Sequence, residues 1–70
     1  MIMLATVFSV RSDHLLVIDL SNRQQVRVNT REAPRFCAGD LLRIQYSGAM
    51  TMSIPPQISA LRVTRLSSAC

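Results

Sequence analysis

Few residues of this chain have side chains that could perform catalysis. The candidates are one histidine, His14, two cysteines, Cys37 and Cys70, and four acidic residues, Asp13, Asp19, Glu32 and Asp40. General acid–base chemistry needs paired titratable groups in one pocket, and a nucleophile needs a base beside it. His14 falls in a polar segment of hairpin length, where we expect a solvated turn residue, and no base lies near Cys37. We therefore predict no enzymatic activity and no catalytic residue.

The same inventory argues against a bound metal or cofactor. Tetrahedral metal sites use closely spaced cysteines and histidines, and this chain has a single histidine and no Cys-x-x-Cys. A phosphate-cradling loop needs several glycines, whereas only Gly39 and Gly48 are present. Cys70 ends a small polar run, so we expect it to be solvated and predict that both cysteines are free thiols.

All eight basic residues are arginines, and the formal net charge is +4. A basic balance permits binding to phosphate groups. Arg27, Arg43 and Arg62 are predicted to point outward from strands, which makes them candidate contacts for single-stranded nucleic acid. Such binding also needs exposed aromatic side chains on which bases stack. The pattern turns Phe8 and Tyr46 inward, so we expect any contact to be weak and sensitive to salt.

Another candidate surface follows the fourth predicted strand. Met50 and Met52 lie among small polar residues in a segment without helical periodicity, and exposed methionines suit adaptable binding surfaces. The candidate partner surface comprises Met50, Met52, Ser53, Pro55 and Pro56. We nevertheless favour the interpretation in which the two methionines fold over the end of the barrel as core. Exposed strand edges could also pair with a second copy, so the partner is either a protein or a homodimer mate.

Alternation of apolar and polar residues predicts strands almost throughout. We expect five of them, at residues 4–10, 15–20, 25–29, 41–46 and from 57 or 58 to 66. The segment 30–38 holds at most one helical turn because Pro34 disfavours helical angles at the residue before it. Within that connection Phe36 is predicted to plug the open end of the sheet. The predicted core is Phe8, Leu16, Ile18, Val26, Val28, Leu42, Ile44, Tyr46, Leu61 and Val63.

Five strands with a longer connection after the third favour an all-β fold, a small five-stranded OB-like Greek-key barrel. An SH3-like barrel is the alternative. Seventy residues make one domain, which we place at residues 1–66, followed by a frayed tail at 67–70.

No apolar run reaches the roughly 20 residues of a membrane span. The first ten residues lack the basic region of a secretory signal, so they are predicted to form a strand. The expected location is then cytoplasmic by default, or secreted if a signal was removed before the numbered chain.

Residues 39–63 carry a specific resemblance. They contain the pattern Gly-Asp-x-Leu-x-Ile-x-Tyr-x-Gly, followed by Ser-x-Pro-Pro-Gln-Ile-x-Ala-x-x-Val. The pattern resembles the C-terminal half of a YobA-like bacterial family of small OB-type domains of unknown function. That family is often found in secreted or lipid-anchored proteins. The resemblance implies an OB-type fold and assigns no activity.

These observations lead to one functional hypothesis and one alternative. The first is a non-enzymatic small β-barrel that binds a partner not identified by the sequence. The alternative is weak single-stranded nucleic-acid binding through an arginine-bearing sheet face.

Overall fold

The five predicted strands all form. In the computed structural model, which describes all 70 residues, they are β1 (Ile2–Val10), β2 (His14–Asp19), β3 (Gln25–Asn29), β4 (Leu41–Tyr46) and β5 (Gln57–Ser67). A single 3-10 turn, Ala33–Arg35, lies between β3 and β4 and confirms the prediction that at most one helical turn fits there.

The strands close into a barrel in the order β1-β2-β3-β5-β4. β1, β2 and β3 form an antiparallel meander, and β1 also pairs with β4. β5 enters between β3 and β4, parallel to β3 and antiparallel to β4. The non-sequential position of β5 makes this a Greek-key arrangement, and it confirms the predicted OB-like barrel.

One face of each strand points into the barrel interior. Thirteen buried apolar residues form the core: Met3, Ala5, Val7, Leu15, Val17, Val26, Val28, Ala33, Phe36, Leu42, Ile44, Tyr46 and Ile58. The predicted core residues of β3 and β4 are confirmed, Phe36 is buried as predicted, and Val63 packs against the core while partly exposed.

The predicted inward faces of β1 and β2 were wrong. Leu15 and Val17 point inward, whereas Leu16 and Ile18 are half-buried on the outer face. Both faces of β2 are apolar, so the alternation is equally satisfied by either orientation. A shift of one residue moves every side chain of a strand to the other face.

Two further core predictions failed at β-bulges. Phe8 is 56% exposed and Leu61 is 70% exposed. The β1–β2 register passes from Val7 to Ser9, and the β4–β5 register from Arg62 to Ala60, so Phe8 and Leu61 have no cross-strand partner. Phe8 continues the outer face of Ile2, Leu4 and Thr6, and the bulge follows it. At Leu61 the bulge breaks the two-residue period, so Ala60 and Val63 pack against the core and Leu61 does not.

Asp40 connects the segment before β4 to the end of the chain. Its side chain is completely buried. One carboxylate oxygen accepts the Ala69 backbone N–H at 2.6 Å, and the other accepts the Cys37 N–H at 2.9 Å and the Arg65 Nε–H at 3.0 Å. Its backbone carbonyl also accepts the Val7 N–H of β1. One residue therefore holds β1, the β3–β4 connection, β5 and the tail together.

Arg65 extends this network. Its guanidinium donates to the carbonyl oxygen of Arg35 and lies 5.2 Å from the centre of the Phe36 ring. Gly39 lets the tail approach, because its φ of +94° suits glycine and a Cβ there would lie 3.0 Å from the Cβ of Ala69.

Cys37 and Cys70 form a disulfide, so the prediction of two free thiols was wrong. The tail that was expected to fray is fastened at Ala69 and Cys70, and β5 itself continues to Ser67. The two cysteines are 33 residues apart in sequence, and their pairing depends on β5 returning beside the β3–β4 connection. A bridge of this span stabilises a small domain by roughly 2–4 kcal/mol.

The Asp40 network predicts sensitivity to acid. Hydrogen bonds from the Ala69 and Cys37 amides, with help from Arg65, hold the pKa of Asp40 below its ordinary value. A lowered carboxyl pKa adds stability above the unfolded-state pKa, and this stability is lost as pH falls toward the folded-state pKa. We expect the free energy of unfolding, measured by urea denaturation, to decline as the pH falls from about 5 through the ordinary carboxyl pKa and below it.

The contribution of Asp13 to the acid profile must be removed, because the hydrogen bond with His14 also lowers the pKa of Asp13. The comparison is therefore made in an Asp13→Asn background. There, Asp40→Asn should reduce stability at neutral pH and flatten the acid profile, while the control Glu32→Gln should leave that profile unchanged. An Asp40→Asn variant that keeps the full acid decline would contradict the assignment.

Candidate interaction surface

The loop between β4 and β5, residues 47–56, carries the predicted partner surface. It leaves β4 through Ser47 and Gly48, and its middle forms no regular secondary structure. Gly48 has a φ of +99°, which allows the chain to turn away from the barrel at this point. The loop returns to β5 through Pro55 and Pro56, and the Ile54–Pro55 peptide bond is cis.

The polar side chains of this loop bond to the loop itself. Thr51 Oγ1 accepts the Gln57 N–H at 2.9 Å and lies 2.6 Å from Ser53 Oγ. Ser53 Oγ in turn donates to the Pro55 carbonyl at 3.0 Å. The Thr51 N–H donates to the carbonyl of Gln57. These bonds tie the middle of the loop to the start of β5.

The apolar side chains of the loop point into solvent. Met52 and Ile54 are each 99% exposed, and Met50 is also exposed. The favoured interpretation, in which Met50 and Met52 complete the core, is therefore wrong. Of the remaining predicted contacts, Ser53 is exposed, Pro55 is half-buried and Pro56 is buried, so Pro56 is not available to a partner. Ile54 was not predicted as a contact, although it continues the two-residue spacing of Met50 and Met52.

The loop forms one wall of an open groove of about 730 Å³. Gln24 and Gln25, at the start of β3, form the opposite wall. Their amide groups can donate and accept hydrogen bonds, whereas the loop wall offers thioether and aliphatic groups. No ionisable side chain lines this groove.

The three candidate nucleic-acid arginines do not form one cluster. Arg43 pairs across the sheet with Thr64, and Arg62 pairs with Gln45, so Arg43 and Arg62 are diagonal neighbours on the exposed face of β4 and β5. Arg27 lies on β3, is half-buried, and donates from Nε to Asn29 Oδ1 at 3.0 Å. The structure brings two of the three arginines together.

Only one of the two aromatic residues that were predicted to point inward does so. Tyr46 is buried as predicted, but Phe8 projects from the outer face of β1. Phe8 and Ser9 together face Leu16 at the β1–β2 bulge, and Leu16 pairs with Arg27. An exposed ring and an arginine thus flank Leu16 on the three-stranded face of β1, β2 and β3.

Asp13, His14 and Asp19 form hydrogen bonds with residues next to them in sequence or two residues away. Asp13 Oδ1 lies 2.7 Å from His14 Nδ1, and this hydrogen bond lowers the pKa of Asp13. His14 is the first residue of β2 and is largely shielded from solvent, so the prediction of a solvated turn residue was wrong. Asp19 accepts both the N–H and the hydroxyl hydrogen of Ser21.

No group of three histidine, cysteine or acidic side chains lies close enough to hold a metal ion. None of the helical structure is long and apolar enough to cross a membrane.

Comparison of the chain with protein-family models, with curated proteins and with solved structures gives no match. The resemblance of residues 39–63 to the YobA-like family stays a prediction.

Proposed function

We propose that this protein is a non-enzymatic interaction module that binds an apolar segment of a protein partner through the β4–β5 loop. The observation that carries the proposal is the near-complete exposure of Met52 and Ile54 on a loop whose hydroxyl groups bond within the loop and to the start of β5. Asp40, Asp19 and the cysteines serve as structural partners, which supports a binding role over a catalytic one.

The energetics favour binding at this loop. Burying one methionine or isoleucine side chain releases roughly 1.5–3 kcal/mol. The internal bonds of Thr51 and Ser53 already hold the loop in place, so less conformational entropy is lost when a partner binds. The groove volume lies within the range of about 300–1,000 Å³ that is usual for ligand sites. An extended peptide could place an apolar side chain against the loop and its backbone amides against the two glutamines.

This proposal is tested by selection from a library of random peptides of about 12 residues, a length that reaches about 40 Å when extended. Peptides are selected on the wild-type protein and depleted on a Met52→Ser, Ile54→Ser variant. Selected peptides should bind the double variant at least about tenfold more weakly, because two apolar contacts are lost. A Leu66→Ser control, altered at an exposed apolar side chain near the end of β5, should bind normally. Failure to obtain any loop-dependent peptide would contradict the proposal.

A second candidate function is weak single-stranded nucleic-acid binding. It is supported by the outward position of Phe8, which supplies a stacking surface, and by the diagonal placement of Arg43 and Arg62. Base stacking on an aromatic ring contributes roughly 1–3 kcal/mol. Arg27 lies on the same three-stranded face as Phe8 and would contact the backbone phosphates.

An NMR titration with a mixed-sequence single-stranded oligonucleotide tests this second candidate. Shifts at Phe8, Arg27, Arg43 and Arg62 should persist at physiological salt, and Phe8→Ala should weaken binding about fivefold or more, as expected for loss of one stacked base. Arg35→Gln serves as the control, because this arginine is on the 3-10 turn. Diffuse shifts that disappear on adding salt would exclude specific binding.

We also propose that the protein works in an oxidising compartment, which is the secreted alternative for its location. The Cys37–Cys70 disulfide supports this, because such bridges persist in oxidising surroundings and are rare in the cytosol. Thiol labelling of the protein in its native cells, without prior reduction, should leave both cysteines unmodified. Stoichiometric labelling of Cys37 after denaturation would instead indicate a reducing location.

A further inference from the structure

The outer surfaces of β1 and β2 form a second apolar region, separate from the β4–β5 loop. Its side chains alternate with the core residues of the two strands and face solvent. We call this region the β1–β2 stripe, and it comprises Ile2, Leu4, Phe8, Leu16, Ile18 and Leu20. Leu4 is 47% exposed and Leu20 is 49% exposed. The neighbouring strands differ, because their outer faces carry Gln25, Arg27 and Asn29 on β3 and Arg43 and Gln45 on β4.

The stripe is continuous across the two strands. Thr6 pairs with Ile18, and Ser9, beside Phe8 at the bulge, pairs with Leu16. At the other end the Leu20 N–H donates to the Leu4 carbonyl, which places these two leucines side by side. From Ile2 to Phe8 the stripe extends about 20 Å, at roughly 3.3 Å per residue. An α-helix of about 13 residues has the same length.

A hollow lies at the Leu4–Leu20 end of the stripe. Its volume is about 450 Å³, and its lining includes Met1, Ile2, Leu4, Leu20 and Tyr46. Asp19 also lies at its edge but is 9% exposed, and its carboxylate accepts two hydrogen bonds from Ser21. The hollow can therefore receive one large apolar side chain of a bound segment.

The charges beside the stripe specify its partner. Arg43 of β4 pairs with Leu4, and Arg27 of β3 pairs with Leu16, so an arginine flanks each long side of the stripe. Arg43 forms no ion pair. Asp13, in the turn beyond the stripe, bonds to His14, and no carboxylate projects from the outer faces of β1 to β4. A second copy of this chain would bring a further net charge of +4 to the same surface, which disfavours self-association.

We propose that the β1–β2 stripe binds an amphipathic α-helix of a protein partner, with acidic residues on both sides of the helix's apolar face. A helix is about 10–12 Å wide, so it covers the two strands and places its flanking carboxylates over β3 and β4. One apolar side chain of the helix would occupy the hollow beside Leu4 and Leu20. This proposal is independent of the β4–β5 loop and holds whether or not that loop binds a peptide.

Two synthetic helical peptides of about 14 residues, the length set by the stripe, test the proposal. They share one apolar face, but one carries glutamates along both flanks and the other carries lysines. Fluorescence anisotropy should show that the glutamate peptide binds at least about fivefold more tightly than the lysine peptide at low salt. Leu4→Ser should weaken the glutamate peptide at least about tenfold. Leu61→Ser, altered at an exposed leucine of β5 outside the stripe, should bind normally.

A charge reversal completes the test. Arg43→Glu should reduce or invert the preference for the glutamate peptide, whereas Arg35→Glu on the 3-10 turn should leave it unchanged. Equal binding of the two peptides, or binding of neither, would overturn the proposal. Self-association that Leu4→Ser abolishes in sedimentation would overturn it in favour of a second copy. Displacement of the glutamate peptide by a single-stranded oligonucleotide at physiological salt would overturn it in favour of nucleic acid.

Discussion

The buried carboxylate of Asp40 is the interaction on which the closed barrel depends. It accepts hydrogen bonds from the tail, from the β3–β4 connection and from Arg65 of β5, while its backbone carbonyl bonds to β1. Loss of the carboxylate would remove the acceptor of the Ala69 and Cys37 amides and of the Arg65 Nε–H at once. The disulfide joins the same two segments covalently. Closure of this small barrel therefore combines a polar network and a covalent bond with a modest core.

The limited interior also explains the apolar exterior. Only 16 of 70 residues are buried, because a five-stranded barrel encloses one face of each strand. β1 and β2 are apolar on both faces, so one set of their side chains must face solvent. The β4–β5 loop has the same excess of exposed apolar groups, since its hydroxyl groups bond within the loop and to the start of β5 while its methionines and Ile54 face solvent. Both surfaces suit partners that cover apolar groups.

Prediction from the sequence succeeded where one face of a segment is clearly polar. Val26 and Val28 alternate with Gln25, Arg27 and Asn29, so the inward face of β3 is unambiguous, and it is confirmed. Prediction failed where both faces of a strand are apolar, so that alternation does not indicate the buried face, and where a bulge interrupts the alternation. Leu16 and Ile18 compete with Leu15 and Val17 for the core, and Phe8 belongs to β1, which is also apolar on both faces. Leu61 lies at a bulge that the residue pattern does not mark. The loop between β4 and β5 was predicted from the sequence, but the direction of its side chains was not.

The sequence by itself determined the all-β class, the five strands, the limit of one helical turn around Pro34 and the burial of Phe36, because these follow from local alternation and backbone restrictions. It left an SH3-like barrel as the alternative to an OB-like one, and the pairing of β5 between β3 and β4 decided between them. The tertiary structure alone decided which face of β1 and β2 is buried, that Cys37 meets Cys70, and that Asp40 receives the tail. Each of these depends on contacts between segments that are distant in sequence. Strand pairing and chain closure create those contacts, and local residue patterns do not encode them.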